Sequence, residues 1–132
     1  MGTEKYKVLL VDDSTDDLFF ERLIFERSAN FIVIGEARDG QEAINYLQEN
    51  SNPPDIMLLD LKMPRKNGFD VLQWIQTAKL SNLKVVVVSG SWLTEDIARS
   101  QALGAHAYFK KTSSREEQDK MLADIEKLLG KR

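Results

Sequence analysis

A doubly wound α/β sandwich is the fold class this sequence predicts, with a parallel sheet held between two layers of helices. Two observations carry the prediction. Five short apolar runs recur along the 132 residues, and they are continuous rather than alternating, the pattern of strands covered on both faces. Between them lie segments whose apolar residues recur at helical spacing, so strand and helix alternate five times.

The first run is residues 6–11 (YKVLLV), and a helix is expected over 14–28 with Ser14 as its cap. On that helix Phe20, Leu23 and Ile24 share one face, while Glu21, Arg22 and Glu26 point elsewhere. Leu18 and Phe25 fall opposite Phe20 and Ile24, either as plain packing or as part of an exposed contact surface. The second run, 31–37 (FIVIGEA), precedes a helix over 39–50 capped by Asp39. The third, 55–60 (DIMLLD), precedes a helix over 67–78 capped by Asn67. The fourth, 84–89 (KVVVVS), leads to a helix over 93–103, started by Thr94 and closed by Gly104, a residue type suited to a left-handed helix end. The fifth, 106–109 (HAYF), leads to the last helix, 114–129, capped by Ser114. Connection rules leave few topologies, and in such folds ligands bind beyond the carboxyl ends of the strands, where strand order reverses.

Composition narrows the function classes. The length suits one domain, 1–132, with one substantial core. There are no cysteines, which removes disulfides, thiolate catalysis and cysteine zinc sites and suits a cytoplasmic location. The formal charge of −3 argues against nucleic acid as a direct partner. No apolar run approaches the roughly 20 residues of a membrane span, and no export signal stands at the start.

The chemistry sits where the fold predicts it. The first run ends in Asp12 and Asp13, the third in Asp60 and the fourth in Ser89; Lys110 and Lys111 follow the fifth. Two unit charges about 4 Å apart repel by roughly 4 kcal/mol at an effective dielectric near 20, so three converging carboxylates need compensation. Mg²⁺ supplies it, because it takes oxygen ligands and commonly binds through one or two carboxylates plus a phosphate. With a lysine nearby, the arrangement suits a phosphoryl group attacked by a carboxylate oxygen.

The stretches VLLVDDS, PDIMLLDLKMPRKNG, VVVVSG and GAHAYFKKT together resemble the receiver domains of bacterial response regulators over nearly the whole chain. The DDSTDDLFF opening and the TEDIARSQALGAHAYF stretch look like small stand-alone regulators of the kind that partner cyanobacterial phytochromes. The resemblance implies a flavodoxin-like (βα)5 three-layer sandwich, a five-stranded parallel sheet ordered 2-1-3-4-5, and a phosphoacceptor signalling domain rather than an enzyme acting on other substrates. It implies Asp60 as phosphoacceptor and Asp12, Asp13, Asp60 and the Lys62 backbone carbonyl as the Mg²⁺ site. It assigns Ser89 and Lys111 to the phosphoryl oxygens, and Ser89 with Tyr108 to a switch in which the ring turns inward. Its implied partners are a sensor histidine kinase or histidine phosphotransfer protein and an output protein, with a homodimer left open.

Two departures stand out. Thr112 follows the family lysine where relatives usually carry proline, so a trans Lys111–Thr112 bond is expected. Lys62 and Ser91, two residues beyond Asp60 and Ser89, are neither carboxylates nor amides, so slow to moderate loss of the phosphoryl group is expected. Output is expected to pass by contact around the fourth helix, fifth strand and fifth helix, near Trp92 and Tyr108, since no further module follows residue 129. The lone His106 cannot build a histidine metal site by itself. Rival readings fit less well. A haloacid-dehalogenase-type hydrolase resembles Asp-x-Asp after the first strand, where Ser14 stands here; an FMN carrier's phosphate loop would be repelled by Asp12, Asp13, Asp16 and Asp17; a degenerate receiver would not keep Asp60, Asp13, Ser89 and Lys111.

Overall fold

The computed structural model describes residues 5–50, 52–90 and 93–130. Ten elements alternate along them: β1 (Tyr6–Val11), α1 (Thr15–Glu26), β2 (Phe31–Ala37), α2 (Gly40–Glu49), β3 (Ile56–Leu59), α3 (Gly68–Ala78), β4 (Lys84–Ser89), α4 (Thr94–Ala102), β5 (Ala107–Lys110) and α5 (Arg115–Leu129). The strands form one parallel sheet in the order β2-β1-β3-β4-β5, as expected. Element ends differ from the sequence reading by a residue or two, where helices fray and ladders open.

Continuous apolar runs serve two faces at once. Val8, Leu10, Ile56, Leu58, Val86 and Val88 point into a core closed by α1 and α5. Their alternates Leu9, Val11, Met57, Leu59, Val85 and Val87 point into a second core with Phe69, Val71, Leu72 and Ile75 of α3 and Ala43 of α2. Successive strand side chains point to opposite faces, so an unbroken hydrophobic run is what a sheet with two covered faces demands.

Ser14, Asp39, Asn67 and Ser114 each accept a backbone N–H of the first helical turn, as the sequence suggested. Thr94 does not: it begins α4 itself, the cap position belongs to Leu93, and no side chain closes that end. Gly104 follows α4 at φ 103°, and Ala105 N–H returns to Ser100 O at 2.9 Å, the glycine-ended turn that the sequence suggested.

The expected face of α1 needs correction. Phe20 is 56% exposed and Leu23 41% exposed, whereas Glu21 is only 7% exposed. The sheet receives Leu18, Glu21 and Phe25, which succeed one another at steps of three and four, together with Ile24 of the expected face. The helix carries apolar residues on two sides, and the packing role of Leu18 and Phe25 is the one realised.

Candidate functional site

Strand register assembles the site. Asp12 N–H bonds Ala37 O at 3.0 Å, continuing β1, and Asp60 N–H bonds Val11 O at 2.9 Å, which sets Asp60 beside the end of β1. Lys111 N–H bonds Ser89 O at 2.9 Å, so β5 delivers its lysine to the end of β4. Four of the predicted positions thus lie at the carboxyl edge of three adjacent strands and β5. Asp12, Asp60 and Ser89 are buried; Asp13 is exposed.

Carboxylate oxygens of Asp12, Asp13 and Asp60 lie within 4.8 Å of one another. The Lys111 ammonium stands 2.9 Å from Asp12 Oδ2, 2.8 Å from Asp17 Oδ2 and 3.6 Å from Asp60 Oδ2. Asp12 Oδ1 accepts Ser14 N–H at 3.0 Å, while its Oδ2 is buried beside the Lys111 ammonium without an aligned hydrogen bond. An all-oxygen donor set with one such lone pair fits a hard divalent cation.

Electrostatics follow from burial. Desolvation pushes the Asp60 carboxyl up to about 6; Lys111 lowers it, Asp12 and Asp13 raise it, and the Lys62 N–H lowers it by hydrogen bonding. Burial alone would lower the Lys111 ammonium, but the hydrogen bond to Asp17 and the carboxylates of Asp12 and Asp60 more than reverse this, so it stays charged. Glu21, beneath the site on α1, is pushed up to about 9, first by burial and then by Asp12, with Lys111 opposing.

Asp17 and Glu21 were not read as site residues from the sequence. Asp17 was accessible to such a reading, because it lies three residues beyond Ser14 on the turn that faces the crevice. Glu21 carried no such signal, since nothing in periodicity marks a buried carboxyl.

Other expected positions are also located. Tyr108 pairs with Val87 in the sheet and is half-buried against the α2–α3 core. The Lys62 side chain is exposed. His106 stands at its strand entry, where Nδ1 accepts Val85 N–H at 3.0 Å, and the partial burial of its ring and the charge of Lys84 hold it below its ordinary range. The Lys111–Thr112 bond is trans, as expected. Thr112 uses the freedom that a proline would lack: its hydroxyl donates to Glu117 Oε1 at 2.5 Å and accepts Ser114 N–H at 3.0 Å, tying the lysine loop to α5. Ser91 and Trp92 lie outside the described residues. Among the described residues no helix is long and apolar enough to cross a membrane.

Comparison with known proteins agrees with this geometry. The model of the response regulator receiver domain matches residues 8–123. The response regulator Rcp1 of Synechocystis is 34% identical over 125 residues, covering 90% of this chain and 85% of that protein. The crystal structure of Mn²⁺-bound Rcp1 superposes with a TM-score of 0.80 at 32% identity, covering 96% of each chain. That of the phosphorylated cyanobacterial phytochrome response regulator RcpA gives 0.81 at 31% identity, covering 95% of this chain and 94% of that one. The chain also matches the protein-glutamate methylesterase of Pyrococcus horikoshii, 36% identical over 131 residues, covering 92% of this chain but only 34% of that longer enzyme.

Proposed function

The chain belongs to the response regulator receiver domain family, whose members are phosphoacceptor signalling domains, and from that premise we propose that Asp60 is the residue phosphorylated. The observation that carries the reading is the meeting of Asp12, Asp13 and Asp60 within 4.8 Å under the Lys111 ammonium. Asp12, Asp13, Asp60 and the Lys62 carbonyl would hold Mg²⁺, which supplies charge neutralisation for the incoming phosphoryl oxygens.

The residues do the rest. An ionised Asp60 oxygen attacks phosphorus; the new O–P bond forms as the bond to the donor imidazole nitrogen breaks, and that nitrogen keeps the electron pair. Lys111, on a long flexible stem, turns from Asp12 toward the phosphoryl oxygens. Ser89 donates its hydroxyl to the same group, and Tyr108 repacks into the space vacated. The chain catalyses its own loading and unloading and no other reaction.

A sensor histidine kinase or histidine phosphotransfer protein is the donor class, in the cytoplasm. Phe20 and Leu23 are exposed at a groove of about 620 Å³ between α1 and α5 that reaches Lys111, which supports donor contact on that side. Output passes to a protein partner through α4, β5 and α5. The exposed Lys62 orients no attacking water, so Lys62→Asn speeds phosphoryl loss.

Incubation with Mg²⁺ and acetyl phosphate, followed by intact-mass measurement, tests the reading. A phosphoryl adduct that disappears with chelator or with Asp60→Ala supports it; an adduct indifferent to both refutes it, as does multiple turnover of the donor without an adduct.

A further inference from the structure

We propose that Asp39 and Arg65, outside the phosphoacceptor cluster, are positioning residues for the metal site: a charged latch that fixes the loop carrying the Lys62 carbonyl. The inference rests on the function proposed above and deepens it.

The loop from Leu61 to Asn67 leaves the sheet directly after Asp60. Its two ends are joined by Gly68 N–H to Leu61 O at 2.9 Å, and a Cβ at Gly68 would meet Asp60 O at 2.6 Å. Its far side is fastened to the start of α2. Gly40 N–H bonds Lys66 O at 2.7 Å, an approach so close that a Cβ at Gly40 would stand 2.2 Å from that oxygen.

Next to that bond lies the latch. Asp39 Oδ1 accepts Glu42 N–H at 2.8 Å as the α2 cap, and Oδ2 accepts Arg65 Nε at 2.7 Å and pairs with Nη2 at 2.5 Å. The Asp39 carboxylate is buried, whereas the Arg65 side chain is largely exposed. Burial would raise the Asp39 carboxyl, but the Glu42 N–H and Arg65 hold it below its usual range.

Arg65 makes this fork from a left-handed backbone, φ 63°, which a non-glycine residue adopts at a cost. The strain is offset by the two-pronged bond to a buried carboxylate, a geometry lysine cannot reproduce. Lys62 lies between the Gly68–Leu61 closure and this latch, and its N–H is already engaged by the Asp60 carboxylate. The direction of its carbonyl is therefore set by the frame, three residues upstream of Arg65. Partners that orient a ligand typically change metal affinity by about 10–100-fold when lost.

The test is Mn²⁺ titration of the phosphate-free chain, followed by the resonance of free Mn²⁺, with hydrogen exchange of residues 61–67 in metal-free protein as a second readout. Arg65→Ala is expected to weaken Mn²⁺ binding about tenfold and to speed exchange in the loop, with the rest of the sheet protected. Arg65→Lys falls between parent and alanine variant. Arg65→Gly relieves the backbone strain yet binds metal as poorly as Arg65→Ala, which separates latch from strain. Asp39→Asn keeps the α2 cap and weakens binding as Arg65→Ala does. Unchanged Mn²⁺ affinity in Arg65→Ala and Asp39→Asn overturns the latch while leaving the proposed function standing. A parent chain that binds no Mn²⁺ overturns both.

Discussion

The ammonium of Lys111 stands 2.9 Å from the buried Oδ2 of Asp12, an oxygen with no aligned hydrogen bond. The lysine thus neutralises the carboxylate cluster from the side of β5. This makes it both a counter-ion of the resting chain and a competitor of any cation.

Lys111→Ala should therefore separate three properties. Without metal the variant loses about 1–3 kcal/mol of stability, because a buried carboxylate is left uncompensated. Its divalent-cation affinity is equal to or severalfold above the parent's, since a competing positive charge has gone. Its phosphorylation is slowed at least tenfold. Urea unfolding, cation titration and acetyl phosphate labelling measure the three, and cation affinity well below the parent's would contradict the competition.

Cation binding should depend on pH through Asp60. In metal-free protein burial, aided by Asp12 and Asp13, pushes this carboxyl up to about 6, so below pH 6 an entering cation must displace its proton. Apparent affinity is expected to fall about tenfold per pH unit below 6 and to level off above it. Titration calorimetry between pH 5 and 8 measures this, and Asp60→Asn should remove that part of the dependence.

Glu21 imposes a second, opposite economy on the fold. Its carboxyl, ordinarily near 4.5, reaches about 9 when folded, so the folded chain holds the proton more tightly than the unfolded one. Stability from this group is complete below about pH 4.5 and is lost as pH rises toward 9, by at most about 1.4 kcal/mol per unit. Glu21→Gln should flatten the decline between pH 6 and 9 and stabilise the chain at pH 8. Thermal unfolding of both chains across that range decides it; parallel curves would refute the assignment.

The two sides of α1 should respond differently to truncation. Phe25 is wholly buried and packs edge-on against Phe31 at 5.1 Å between centroids, so Phe25→Ala costs about 3–5 kcal/mol. Phe20→Ser, on the exposed side, changes stability by less than about 0.5 kcal/mol. Denaturant midpoints compare them directly.

That contrast also marks where sequence reading stopped. Asp12, Asp13, Asp60, Ser89 and Lys111 were legible because each stands at the end of an apolar run, and parallel strands bring such ends to one edge. The burial face of α1 was not legible, since Phe19, Phe20 and Leu23 offer a second apolar side and only the sheet chooses between them. The role of Glu21 was hidden by the same choice, because its carboxyl is buried by the orientation of a helix rather than by its own chemistry. Arg65 was hidden differently. Its left-handed backbone and its bond to Asp39 join residues 26 positions apart, and no local pattern records such a meeting.

A phosphoryl group held by one carboxylate is central to the proposed function. Borohydride reduces an aspartyl phosphate to homoserine, so treatment of the labelled chain followed by peptide sequencing identifies the acceptor. Homoserine at position 60, formed only when divalent cation was present during labelling, is the predicted result. Homoserine at position 12, 13 or 17 with residue 60 unchanged would contradict it.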